Sequence, residues 1–143
     1  PKGHYFAGAA LHTRHFKIDD EGEMATSDDA TNNTTCAWWI YGEQTIWSVD
    51  DKNISAMLQY SENTNHSNGC YRFAEAGCAY KDSKNECGIS AQYARFNQGT
   101  ECSLELTWKR QLTESITLQP YFQYINNKNG DFTVLCTRLY YSF

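Results

Sequence analysis

Acid and base chemistry in this chain would fall to its glutamates, of which four stand out: Glu43, Glu75, Glu101 and Glu105. A glycosidase uses two carboxyl groups that flank the bond to be cleaved, and glutamates are suited to that work. No segment, however, places two of these residues in a recognisable catalytic loop. The chain also lacks the nucleophile elbow, the phosphate-binding loop and the dinucleotide-binding glycine motif. We therefore expect no catalytic residues, no cofactor and no enzymatic activity.

Histidines and cysteines could instead hold a metal ion. His12 and His15 lie three residues apart, which on a strand puts them on opposite faces, so we expect no metal site. The six cysteines, at positions 36, 70, 78, 87, 102 and 136, include no C-x-x-C pair. This spacing favours disulfides and an oxidising compartment. We expect one disulfide between Cys78 and Cys87, because the short connection over 81–86 brings the two strand ends together.

The elements that must position these residues are strands with two different faces. Between 116 and 124, one row is Ile116, Leu118, Pro120, Phe122 and Tyr124, and the other row is polar. Only a period of two sorts them so. The stretch before it alternates in the same way, with Leu104, Leu106 and Trp108 opposed to Ser103, Glu105, Thr107 and Lys109.

The same pattern predicts eight strands, near 4–14, 36–48, 53–61, 70–80, 87–96, 101–111, 116–125 and 132–143. Most have about ten residues, the length with which a tilted strand crosses an outer membrane. The connections at 49–52, 81–86 and 112–115 are short, whereas 15–35 and 62–69 are longer and polar. Short turns at one end and longer loops at the other are typical of membrane barrels. The sequence thus predicts an all-β, antiparallel transmembrane β-barrel in one unit over 1–143.

Composition excludes other classes of protein. The net charge is −5 and the basic residues are scattered, so we expect no nucleic-acid partner. No window approaches the run of roughly 18 apolar residues that a transmembrane helix needs. Aromatic residues make up 15% of the chain, which suits a protein with one water-exposed surface and one apolar surface. The tryptophans Trp38, Trp39 and Trp47, with Tyr141, are expected at the membrane interface.

Several segments resemble the carbohydrate-selective porins of Gram-negative bacteria: Tyr41-Gly42-Glu43-Gln44-Thr45-Ile46-Trp47, Tyr93-Ala94-Arg95-Phe96, the run from Leu104 to Thr113, and its continuation from Ile116 to Ile125. The last strand, which stops at the aromatic Phe143, is similar to the terminal strand of outer-membrane barrels. The resemblance covers nearly all of this chain but only the C-terminal part of the family, whose members form sixteen-stranded barrels. It implies passive diffusion of small hydrophilic solutes, sugars in particular, across the outer membrane of a Gram-negative bacterium.

Face parity selects the residues expected to line such a pore, because a charge on the lipid side costs about 2–4 kcal/mol at mid-bilayer. They are Arg14, Glu43, Glu75, Glu105, Lys109, Tyr121 and Arg138. Two of the positions on this row depart from the family pattern. Tyr121 stands where an acidic residue is usual, and Cys136 stands where glycine is usual, so the family's solute preference cannot safely be carried over to this chain.

Strand number raises a difficulty, because a closed barrel of eight strands is filled by its own side chains. We therefore expect further strands, a second copy or a partner chain to complete a larger, sixteen-stranded ring in contact with outer-membrane lipid. Two alternatives stay open. One is a stand-alone eight-stranded structural or adhesion barrel that does not conduct. The other is a soluble ligand-binding barrel whose apolar row faces inward.

Overall fold

The computed structural model describes residues 2–13, 17–18, 24–25, 35–64 and 69–142. All eight predicted strands are confirmed, and each lies within a few residues of its predicted bounds. They are β1 (Gly3–His12), β4 (Thr35–Val49), β5 (Lys52–Asn63), β6 (Cys70–Lys81), β7 (Asn85–Phe96), β8 (Gly99–Gln111), β9 (Ile116–Asn127) and β10 (Gly130–Tyr141). Two further strands, β2 (Lys17–Ile18) and β3 (Met24–Ala25), pair with each other inside the predicted 15–35 loop.

The eight long strands form one antiparallel sheet in the order β1-β4-β5-β6-β7-β8-β9-β10. From β4 onward, each strand pairs with the next strand along the chain, as in a meander. The fold is therefore all-β and antiparallel, as the alternating pattern predicts. Among the described residues no helix is long and apolar enough to cross a membrane.

The turns use residues suited to tight reversals of the chain. The β4–β5 turn contains Asp50 with a positive φ of 54°, a conformation that Asp tolerates better than most residues. The two-residue connections 97–98 and 128–129 are followed by Gly99 and Gly130, whose φ angles are 150° and 124°. These two connections lie at the same end of the sheet as the long loops, so that end carries short turns as well.

Asp82 shapes the β6–β7 turn through hydrogen bonds to the backbone. The backbone N–H groups of Lys84 and Asn85 donate to its Oδ1 over 2.8 and 2.7 Å. These two bonds, that of Lys84 first, lower the pKa of the Asp82 carboxyl below its ordinary value of 3.8. The ionised carboxylate thus holds the turn that joins two neighbouring strands.

The sheet is open in the described part of the chain. β1 pairs with β4 alone and β10 with β9 alone, so both form edges of the sheet. The described residues also contain no buried hydrophobic side chain. A single layer without a core needs another medium or further protein to cover its apolar side and to pair its edges.

Candidate functional site: the polar face of the sheet

Hydrogen-bond register divides the sheet into two faces. One row of directly paired positions runs across all eight strands: His4, Glu43, Met57, Gly77, Ser90, Glu105, Gln123 and Val134. Side chains of paired residues point to the same side, and alternate residues along each strand join them. We call this side the polar face and the opposite side the apolar face.

The apolar face is exposed. Its side chains include Leu135 at 78% exposure, Leu139 at 68% and Leu58 at 66%. The register also places on it the whole row that the alternating pattern marks as apolar: Leu104, Leu106, Trp108, Leu118, Phe122, Leu139 and Tyr141. Monomeric soluble proteins rarely expose a contiguous apolar surface of this composition to water.

The predicted pore-lining residues share the polar face. By register, this face carries six of the seven: Glu43, Glu75, Glu105, Lys109, Tyr121 and Arg138. The seventh, Arg14, lies outside the described residues. The alternation of side chains along each strand is enough to predict that these six residues share one face. The β-bulge between Thr45 and Trp47 comes after Glu43, so it does not move Glu43 to the other face.

Glu43, Glu75 and Glu105 line one groove of about 240 Å³ on the polar face. They belong to β4, β6 and β8, so two interstrand spacings, roughly 10 Å, separate neighbours across the sheet. The groove is also lined by small residues, among them Ser55, Gly77, Ala79, Gly88 and Ser90. Small side chains between the carboxylates leave room for water or a polar solute.

A ladder of hydrogen bonds fixes the polar side chains around this groove. The Gln92 amide donates to Glu75 Oε1 over 3.1 Å, and the Ser103 hydroxyl donates to Gln92 Oε1 over 2.9 Å. The Tyr41 hydroxyl donates to Glu43 Oε2 over 3.0 Å. Glu105 has neither a hydrogen bond nor an ion pair with the described residues, so its carboxylate is free to bind water or solute.

Cations and aromatic rings occupy the side of the polar face formed by β8, β9 and β10. The Lys109 amine lies 5.7 Å from the Tyr140 ring centroid, and the Arg138 guanidinium carbon lies 5.7 Å from that of Tyr121. These are cation–π distances. The Tyr140 hydroxyl donates to Gln119 over 2.8 Å. The face thus has carboxylates at its centre and π-stacked cations at one side.

Sequence reasoning missed several partners on this face. Gln92 bridges Glu75 and Ser103, while Gln119 bridges Tyr140 and Thr107, to whose hydroxyl its amide donates over 3.0 Å. The alternation within strands does predict that Ser103, Thr107 and Gln119 lie on the polar row. Only the register between strands shows which of them meet.

The predicted disulfide between Cys78 and Cys87 is wrong in this structure, where all six thiols are free. Cys78 pairs with Ile89 and Cys87 pairs with Tyr80, so the two cysteines are diagonal neighbours on the apolar face. Diagonal positions are about 7–8 Å apart, beyond the usual span of a disulfide. The described residues also hold no cluster of three or more His, Cys, Asp and Glu side chains that could bind a metal ion.

Comparison with known proteins gives one result that bears on function. Neither a curated protein nor a solved structure matches the chain. The family model described as carbohydrate-selective porin, OprB family, matches residues 2–138. The match spans the whole sheet except the end of β10, which agrees with the two-faced strands described above. The chain belongs to the carbohydrate-selective porin family.

Proposed function

We propose that this sheet forms part of the wall of an outer-membrane channel for passive diffusion of small hydrophilic solutes, with sugars as the main class. The observation that carries the proposal is the single layer with one exposed apolar face and one hydrogen-bonded polar face. Membership of a porin family supports it. Channels of this kind work by passage and not by catalysis, so no residue is assigned a catalytic role.

The apolar face is assigned to lipid. Strands of 12 residues, such as β5, β6 and β7, are long enough to cross the outer membrane when tilted. Exposed leucines on this face would be unfavourable in water but pack favourably against acyl chains. The setting that follows is the outer membrane of a Gram-negative bacterium.

The polar face is assigned to the lumen. Sugar hydroxyls both donate and accept hydrogen bonds, and this face offers both kinds of partner through Gln92, Ser103 and Gln119. Tyr121 presents an aromatic ring, which can lie against the apolar side of a sugar ring. Glu43, Glu75, Glu105, Lys109 and Arg138 set the charge of the lumen, and Arg14 remains a predicted member of the same set.

Charged side chains without ion-pair partners support the assignment of this face to water. A lumen sealed by its own side chains would need its charges paired, since a buried charge without a partner is very unfavourable. Within the described residues, Glu105 has no partner and Lys109 has only the Tyr140 ring. Charges without ion-pair partners suit a water-filled channel better than the filled interior of a closed eight-stranded structural barrel.

The open edges imply that further strands complete the ring. Each unpaired N–H or C=O group in hydrocarbon costs several kcal/mol, so β1 and β10 cannot face lipid alone. We expect the missing strands to come from a longer chain, a second copy or a partner chain. Since β1 and β10 do not pair, the sheet offers no support to either a closed structural barrel or a soluble closed barrel of the same eight strands.

Two reconstitutions test the proposal. Liposomes that hold the completed ring should swell in isotonic solutions of mono- and disaccharides, whereas empty liposomes should not. The 143-residue chain alone should give no stable, sugar-blockable conductance in planar bilayers, because its ring is incomplete. Absence of sugar flux through the completed ring would contradict the channel. Steady conductance through the monomer would contradict the requirement for further strands.

A further inference from the structure

The loop end of the apolar face carries two arginines at directly paired positions. Arg72 on β6 pairs with Arg95 on β7, and Arg72 pairs on its other side with Glu62 on β5. Like charges placed directly opposite each other in a sheet repel. This row therefore has two guanidinium groups for one carboxylate, on the side of the sheet that is otherwise apolar.

The single carboxylate is engaged by only one of the arginines. Arg72 Nη2 lies 2.8 Å from Glu62 Oε1, and Glu62 also accepts from the Tyr60 hydroxyl over 2.9 Å. The Arg72 Nε is buried and has no hydrogen-bond partner among the described residues. A buried N–H without an acceptor is unfavourable, so Glu62 leaves the Arg72 guanidinium incompletely satisfied.

Arg95 has no carboxylate partner in the described part of the chain. Its guanidinium carbon lies 5.9 Å from the centroid of the Tyr71 ring. A cation–π contact uses the flat face of the guanidinium and leaves its N–H edge available for an anion. Guanidinium groups bind phosphate in a bidentate manner, which makes a phosphate group the best match for this pair.

A second feature beside the arginines fits an acyl chain. An open apolar groove of about 890 Å³ begins one row of paired residues away from the arginines, where Tyr60, Ala74 and Tyr93 line it. Ala74, Ala76 and Ala91 are among its lining residues, and their small side chains leave the space empty. Free phosphate would make no contact with such an apolar groove, whereas the acyl chain of a lipid would fill it.

We infer that Arg72, Arg95 and the groove below them form a binding site for a phosphorylated membrane lipid, with the headgroup at the arginines and one acyl chain along the alanines. The phosphate brings a negative charge between the two guanidinium groups and accepts from their exposed N–H groups. The site rests on the proposed assignment of the apolar face to lipid. It is separate from the polar face and from solute passage.

Native mass spectrometry of the completed barrel in detergent micelles, with dioleoyl phosphatidic acid as the probe, tests the site. Arg95→Gln should lower the bound lipid about fivefold, the effect of one interfacial basic residue. Arg95→Lys should bind an intermediate amount, because it keeps the charge and loses the bidentate fork. Ala76→Phe should also lower binding, by filling the groove.

Arg110 provides a matched control. It lies on the apolar face at the short-turn end, and its guanidinium carbon is 5.8 Å from the Trp108 ring centroid, but its paired position is Leu118 instead of a second arginine. Arg110→Gln should leave phosphatidic acid binding unchanged. Equal losses in Arg95→Gln and Arg110→Gln would overturn the inference, because they would indicate general attraction of anions.

Two further results would overturn the inference, and both use the unmodified protein. One is equal retention of phosphatidic acid and phosphatidylcholine. The other is displacement of phosphatidic acid by inorganic phosphate at the same concentration, which would make this a site for free anions. Lipid retention and sugar flux are separate measurements. Loss of lipid selection would therefore leave the channel proposal intact, and loss of sugar flux would still allow lipid binding to be measured.

Discussion

Neighbouring residues on β7 offer the sharpest test of the two faces. Ile89 lies on the apolar face between Cys78 and Leu106, and Ser90 lies on the polar face between Gly77 and Glu105. Ile89 is the fifth of the 12 residues of β7. With a rise of about 3.3 Å per residue and a tilt of about 40°, it lies roughly 4 Å from the middle of the strand's span.

Arginine at that depth on the lipid side should destabilise the folded protein by about 2–4 kcal/mol. Arginine one residue along, at Ser90, should cost less than about 1 kcal/mol, because it reaches water and lies opposite Glu105. The pair of variants Ile89→Arg and Ser90→Arg thus keeps the strand, the depth and the added charge the same and changes only the face.

Urea-dependent folding of the completed barrel into phosphatidylcholine vesicles, followed by tryptophan fluorescence and gel mobility, measures both free energies. The expected difference between the variants is about 2 kcal/mol or more in favour of Ser90→Arg. Equal costs would refute the reasoning that one face meets lipid. A larger cost at Ser90 would show that the faces are assigned the wrong way round.

Glu105→Gln should lower the cation-over-anion permeability ratio of the completed channel by about fourfold, and Arg138→Gln should raise it. A unit charge 7–10 Å from an ion in water changes its energy by about 0.4–0.6 kcal/mol, with opposite sign for cation and anion. Unchanged reversal potentials would place both residues outside the lumen. The pKa of Asp82 is lower in the folded protein, so its ionised carboxylate stabilises the fold above pH 3.8, and this stabilisation is lost as the pH falls through the folded-state pKa. Asp82→Asn should remove this part of the acid sensitivity, and identical acid-unfolding curves for the variant and the unmodified protein would contradict the prediction. Gly8→Ala should displace the Trp39 ring, because an added Cβ would lie 2.1 Å from its Cζ2; a changed near-ultraviolet circular dichroism spectrum is expected, and no change is expected when Trp39 is already alanine.

Alternation within strands could be predicted from the sequence because it is a local property. The apolar row Ile116, Leu118, Pro120, Phe122 and Tyr124 keeps one side throughout β9, and no tertiary contact is needed to see it. Parity also placed Tyr121 and Cys136 on the polar face, where the structure pairs them directly. Six of the candidate pore residues were identified in this way.

Contacts between strands could not be predicted, because they depend on register, and register depends on turn lengths. The short β6–β7 turn suggested that Cys78 and Cys87 meet, yet the register offsets them by two residues. The facing of Arg72 and Arg95 follows from the same register and from the irregularity between Cys70 and Arg72. Nothing in the local sequence at either arginine indicates the other.

Native cysteines allow the central claim, that the polar face lines a water-filled lumen, to be measured without substitutions. Cys136 is exposed on the polar face, next to Tyr121, and Cys78 is exposed on the apolar face, next to Ile89. A charged, membrane-impermeant methanethiosulfonate reagent reacts only with thiols that water reaches. Applied to the completed barrel in vesicles and read by peptide mass spectrometry, it should modify Cys136, spare Cys78 and lower the sugar flux. Modification of Cys78 as fast as Cys136, or unchanged flux after Cys136 has reacted, would contradict the account.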